Sequence, residues 1–109
     1  MTSFDVQIAG KAKDDLAANL SWWSDNRSVS QAERWHEEIL IAIRSLSTMP
    51  NRCPIVQGAE FGRDVRSLLF GLGPSLTHRI YFGIENQTVI VFRIRHTAQS
   101  PLKDRKELQ

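Results

Sequence analysis

Alternation of apolar and polar positions dominates the second half of the chain. In Thr88-Val-Ile-Val-Phe-Arg-Ile-Arg-His96, the side chains of Ile90, Phe92 and Ile94 fall on one face and those of Val91, Arg93 and Arg95 on the other, because neighbours in a strand point to opposite sides. In Thr77-His-Arg-Ile-Tyr-Phe-Gly-Ile84, residues Ile80, Phe82 and Ile84 share one face and Arg79 and Tyr81 the other. Val65-Arg-Ser-Leu-Leu-Phe70 is a third strand-like run, and Phe4-Asp-Val-Gln-Ile8 a fourth. Between the fourth run and the others the period lengthens. Ala12, Leu16, Leu20 and Trp23, with Ala17 beside them, form a helical stripe from Lys11 to about Ser24. Trp35, Ile39, Ala42, Ile43 and Leu46 form a second stripe. Ser30-Gln-Ala-Glu33 has the spacing of a capping box that opens the second helix, and Met49-Pro50 stops it. The order β-α-α-β-β-β predicts an α+β domain, a two-helix hairpin packed on one face of a small antiparallel sheet.

Breakers set the remaining boundaries. The stretch from Asn51 to Gly62 carries Pro54, Gly58 and Gly62 and reads as a loop. Gly71-Leu-Gly-Pro-Ser75 and Glu85-Asn-Gln87 link the last three strands. Residues 1–100 read as one domain, and 101–109 as a charged tail that frays from Lys103 onward. With Glu85-Asn86-Gln87 as the hairpin loop, the register places Phe82 opposite Ile90, Ile80 opposite Phe92, Tyr81 opposite Val91 and Arg79 opposite Arg93. Like charges directly opposite destabilise a sheet by some tenths of a kcal/mol to about 1. Such a pair implies a neutralising acid or an anionic partner, and the scarcity of nearby acids favours the partner.

Composition sharpens that reading. The chain has 109 residues, 41% hydrophobic and 24% charged, with a formal net charge of +2, which fits one ordinary soluble domain. From 51 to 96 it holds six arginines, no lysine and three acids. Guanidinium groups favour planar, two-pronged contacts with phosphate or carboxylate. The competing reading is a solvated sheet face. No apolar run approaches the ~18 residues of a membrane span, and no secretory signal opens the chain, so a cytoplasmic protein with no membrane partner is expected. The single Cys53 excludes an internal disulfide. No histidine pair has metal-ligand spacing with a carboxylate; neither a metal site nor a cofactor is expected.

Arg79 and Arg93 carry the strongest functional signal, against salt bridging to Glu60 or Asp64. Arg66 and Arg95 stand between a binding role and inert exposure. His96 is an acid/base candidate by residue type, but it shares the core-side parity of Ile94, as His78 does. Trp22 and Trp23 cannot both face one core, which leaves Trp22 for a partner surface.

Taken together, these pieces resemble a RelE/ParE-superfamily toxin of type II toxin–antitoxin systems. The resemblance rests on Phe4-Asp-Val-Gln-Ile8 before Lys11-Ala-Lys-Asp-Asp-Leu16, then Ala32-Glu-Arg-Trp35 with Ile43-Arg-Ser-Leu46, and Met49-Pro50 with Asn51-Arg52. It continues through Asp64-Val-Arg-Ser-Leu68, His78-Arg-Ile-Tyr-Phe82 and Val89-Ile-Val-Phe-Arg-Ile-Arg-His96, covering roughly residues 4 to 100. It implies two helices on an antiparallel sheet, a cognate antitoxin, and either DNA gyrase or ribosome-bound mRNA as target. RelE-like members cleave mRNA without a metal, and Arg79 matches the position of a catalytic arginine there. Active RelE-like chains end in a late tyrosine or a His-Tyr pair; Thr97-Ala-Gln-Ser-Pro-Leu102 has neither, and Ile94-Arg-His96 looks more like the ParE-type ending.

The leading expectation is therefore a growth-inhibiting toxin that binds a gyrase-type target and is neutralised by an antitoxin. A ribosome-dependent mRNA endoribonuclease and a non-toxic binding module with decayed activity are the alternatives. Arg79, Arg95 and His96 are the candidate catalytic residues. Arg66, Arg79, Tyr81, Arg93 and Arg95 are the candidates for target binding, and Trp22, Arg66 and Arg93 for antitoxin binding.

Overall fold

In a computed structural model, which describes residues 3–108, the elements follow the expected order. They are β1 (Asp5–Ile8), α1 (Gly10–Asn26), α2 (Val29–Arg44), β2 (Arg66–Phe70), β3 (His78–Glu85) and β4 (Thr88–His96), with short 3-10 turns at Ser45–Ser47, Pro50–Arg52 and Arg105–Leu108. The helix pair covers one sheet face. Ala12 and Leu16 of α1 and Trp35, Ile39 and Ile43 of α2 are buried against Ile80, Phe82, Val89, Val91 and Ile94. Helix α2 starts two residues earlier than the Ser30 capping box predicts, because the Ser28 side chain accepts a 3.1 Å hydrogen bond from the Gln31 N–H and caps it in place of Ser30. At its other end the Arg52 guanidinium donates to the carbonyls of Thr48 (2.6 Å) and Met49 (3.2 Å) and to Ser45 Oγ (3.0 Å). It satisfies acceptors left over where the helix unwinds.

The sheet is mixed, with strand order β1-β4-β3-β2. β2, β3 and β4 are antiparallel as expected, whereas β1 runs parallel to β4. The intervening helices and long loop supply the crossover that a parallel neighbour needs.

The hairpin register differs from the expected one. Its loop is two residues, Asn86-Gln87, with Asn86 in the left-handed region at φ 54, a conformation asparagine tolerates. The ladder begins with Glu85 opposite Thr88 and then shifts between Tyr81 and Phe82, where Phe92 is the extra residue of a β-bulge. Val89, Val91 and Ile94 therefore face the helices, while Phe92 packs on the other side. The expected core positions Ile90 and Phe92 are displaced by that one-residue slip. Beyond the bulge Tyr81 lies opposite Arg93 and Arg79 opposite Arg95, not Arg93.

The second sheet face is covered in part by a smaller core. Phe61, Val65, Tyr81, Leu102 and Leu108 are buried together, with Val56, Ala59 and Phe92 packed against them. The C-terminal segment does not fray as expected: Glu60 N–H donates to the Lys103 carbonyl (2.8 Å), and Leu102 and Leu108 are 1% and 7% exposed. Gly83 lies on this face, where a β-carbon would come within 2.9 Å of both Arg63 Nη2 and Phe92 Cε2. Its bare backbone admits the Arg63 guanidinium, which lies 5.0 Å from the Phe92 ring centroid and 2.9 Å from Glu85 Oε1.

Candidate functional site

Strand parity sorts the arginines. Direct cross-strand partners point to the same face, so Arg79 and Arg95 stand side by side on the second face, beside Leu69, Ser67 and Tyr81. Arg79 Nη1 donates to Ser67 Oγ at 3.3 Å, and Arg95 Nη2 to the Ser100 carbonyl at 2.9 Å. Arg95 Nε is buried and makes no hydrogen bond. Among the described residues the two ion pairs are Arg63–Glu85 and Arg93–Asp15, so neither Arg79 nor Arg95 has a carboxylate partner there. Arg79 and Arg95 are thus two half-buried arginines paired across the strands without an internal acid, a residue type suited to planar anions. Tyr81, on the same face and opposite Arg93, is 2% exposed, with its hydroxyl accepting a long 3.4 Å bond from the Leu102 N–H.

Arg93 has an internal partner. Its Nε and Nη2 donate to the Asp15 carboxylate at 2.8 and 3.1 Å, and its Nη1 donates to the Glu107 carbonyl at 2.7 Å. Asp15 also accepts the Ile94 N–H at 2.9 Å. It thereby satisfies the β4 edge beyond the end of β1. The hydrogen bonds Arg93 donates to Asp15 raise the Arg93 pKa further. The neutralising acid thus comes from α1 rather than from Glu60 or Asp64. Its signal in the sequence is a carboxylate directly before Leu16, beside the buried stripe.

Arg66 pairs with Phe82 and so belongs to the helix side of the sheet, away from Arg79 and Arg95. Its Nη1 donates to the carbonyls of Asn51 (3.1 Å) and Cys53 (2.7 Å), which ties the long loop to the start of β2. Burial raises the Cys53 thiol pKa, which makes that cysteine a poor nucleophile.

His96 also lies on the helix side, directly opposite His78, so the trio Arg79, Arg95 and His96 does not converge. His96 is exposed and its Nδ1 accepts the Ala98 N–H at 3.0 Å. His78 is 2% exposed. Its Nε2 lies 3.0 Å from Asn19 Oδ1 and its Nδ1 2.8 Å from Thr77 Oγ1. Asn19 Nδ2 in turn donates to the Asp15 carbonyl at 2.8 Å, which leaves Asn19 Oδ1 as acceptor and fixes the neutral Nε2–H tautomer of His78. Burial, with the nearby His96, pushes the His78 pKa down to about 4. The two imidazoles are structural neighbours rather than an acid/base pair for the arginines. Trp22 is 51% exposed, and its ring meets Trp23 edge-on at 5.6 Å. Among the described residues no three His, Cys, Asp or Glu side chains are grouped to hold a metal ion, and no helix is long and apolar enough to cross a membrane.

Comparison with known proteins agrees with this architecture. The family model described as the ParE toxin of type II toxin–antitoxin systems, parDE, matches residues 6–101. A chain of the chromosomal ParDE toxin–antitoxin system from P. aeruginosa is similar with TM-score 0.66 and 20% identity, over 86% of this chain and 96% of that one. A chain of the RelBE2 toxin–antitoxin complex from Mycobacterium tuberculosis is similar with TM-score 0.58 and 22% identity, over 91% and 97%. Comparison with curated protein sequences returns no match. These two likenesses carry the fold; the family match, spanning both helices and all four strands, carries the identity. The chain belongs to the ParE toxin family of type II toxin–antitoxin systems.

Proposed function

We propose that this chain arrests bacterial growth by binding a macromolecular target of the gyrase type through the Arg79–Arg95 face, and that a cognate antitoxin neutralises it. The observation that carries the reading is the cross-strand arginine pair without an internal carboxylate. A sheet selected for stability alone gains nothing from two adjacent like charges, and an anionic partner offsets their repulsion. The antitoxin expectation draws on the family, and on the two similar structures being toxin–antitoxin systems. The nuclease alternative fits less well. Tyr81, on the same face as the arginines, is buried in the smaller core, while His96 faces the other way.

The test is induction in bacteria of the wild-type chain and of a variant carrying both Arg79→Ala and Arg95→Ala, with plasmid supercoiling and mRNA ends followed after induction. Arrest with altered supercoiling and uncut mRNA, relieved in the double variant, is the expected result. Arrest that survives loss of both arginines rejects the site. Codon-phased mRNA cuts replace the binding mechanism with the nuclease one, and absence of any arrest leaves the non-toxic module.

A further inference from the structure

A cavity of about 510 Å³ opens at the end of the molecule where the last turns of α1 pass the ends of β3 and β4. Asn19, Trp22, Trp23, Arg27, His78 and His96 line most of it. It lies on the helix side of the sheet, apart from the arginine pair. We propose that this pocket seats an aromatic side chain flanked by carboxylates, presented by an acidic peptide segment of a protein partner.

Aromatic chemistry follows from the walls. The Trp22 and Trp23 rings meet at 88° with centroids 5.6 Å apart, and His78 and His96 at 73° and 5.1 Å. The half-exposed Trp22 ring and the exposed His96 offer aromatic surface to an incoming ring, which prefers offset or perpendicular contacts. Trp22, half exposed, is a large apolar group left in water until something covers it.

Negative flanks follow from the rim. Arg27 lines the opening, and among the described residues it makes neither a side-chain hydrogen bond nor an ion pair. No carboxylate lines the cavity; the nearest acid in sequence, Asp25, lies outside it. A peptide rather than a free small molecule follows from the surroundings. Leu76, adjacent to the lining residue Thr77, is 53% exposed, and Val29, two residues beyond Arg27, is 63% exposed. A peptide segment seated in the pocket therefore has exposed apolar side chains near its anchor to cover as well. The toxin reading bears only on who the partner is, the antitoxin being the protein of this chemistry that the reading supplies.

The test is a titration of the full-length chain, labelled with 15N at tryptophan, followed by NMR at pH 7. The probes are acetyl-Glu-Phe-Glu-amide, acetyl-Lys-Phe-Lys-amide and acetyl-Glu-Ala-Glu-amide up to about 5 mM, the range in which a single-anchor peptide binds. The buried Trp35 indole, whose ring lies 5.2 Å from His78 in the pocket wall, reports on the fold. Saturable shifts of Trp22 and Trp23 with the Glu-Phe-Glu probe are expected, larger than any shift of Trp35. Affinity should fall at least about threefold in Arg27→Gln, and the shift of the remaining Trp23 should vanish in Trp22→Ala. Both positions are exposed, so both variants keep the fold, which the Trp35 signal verifies. No saturable shift, an equal response to the lysine or alanine probe, or binding unchanged in Trp22→Ala overturns the proposal. The titration reads the pocket whether or not the chain arrests growth, so failure here and failure of the toxin reading appear in separate experiments.

Discussion

Arg79 and Arg95 stand directly opposite one another on adjacent strands, and among the described residues neither meets a carboxylate. Their mutual repulsion is a stability cost of up to about 1 kcal/mol. Replacing either with glutamine should leave the urea midpoint unchanged or raise it, while reducing growth arrest. A fall of more than about 1 kcal/mol in either single variant would show that the pair is structural instead.

Asp15 should behave in the opposite way. It accepts two bonds from Arg93 and one from the Ile94 backbone, and both side chains of the ion pair are at most 16% exposed. Asp15→Asn strands a largely buried guanidinium, and a loss of about 3–5 kcal/mol is expected in chemical denaturation. The double variant Asp15→Asn with Arg93→Met should recover part of that loss, because no unpaired charge remains.

His78 introduces an acid-side dependence. Its folded pKa, about 4, lies below the ordinary value of 6.5. The unfolded chain therefore takes up the proton first as pH falls. The contribution is complete above the unfolded pKa and is lost progressively toward pH 4, by about 2 kcal/mol between pH 7 and pH 5. His78→Gln should remove that part of the slope; equal wild-type and variant slopes over this interval would contradict it.

The C-terminal segment should matter to stability despite its charge. Ending the chain after Ser100 removes Leu102, Leu108 and the Glu107 carbonyl that Arg93 uses. At about 1.5–3 kcal/mol per buried leucine, the truncated chain should lose about 3–6 kcal/mol in thermal or urea unfolding. Limited proteolysis should then cut the 53–65 loop, which packs under the same residues.

Gly83→Ala tests the fit of Arg63 over Phe92. The added methyl would meet both at 2.9 Å. Since the arginine tip can move and the ring is held, a loss of about 1–3 kcal/mol is expected, with Glu85 freed from its ion pair.

Most of the fold was legible because stripes report burial directly. Trp35, Ile39, Ile43 and Leu46 carry the helical period and are all buried. Two kinds of feature escaped. A bulge leaves no periodic signature: the run from Val89 to Ile94 is apolar on both parities up to Phe92, so nothing marks where the phase changes. Long-range polar pairing is equally silent, since Asp15 and Arg93 lie 78 positions apart. The packing of the tail is silent too, since Leu102 and Leu108 are separated by five charged residues and form no stripe. Of the candidate site residues, parity brought Arg79 and Arg95 together and sent Arg66 and His96 to the opposite face.

The bulge at Phe92 has a mechanical corollary. It lies between the hairpin turn and the arginine pair, so the two ends of the hairpin are indexed independently. A turn lengthened or shortened by one residue can be absorbed by moving or removing the bulge, and Arg79 still meets Arg95. Change at the hairpin tip is then felt by its own ties, the Arg63–Glu85 ion pair and the Asp5 N–H to Gln87 carbonyl bond, while the charged end keeps its geometry.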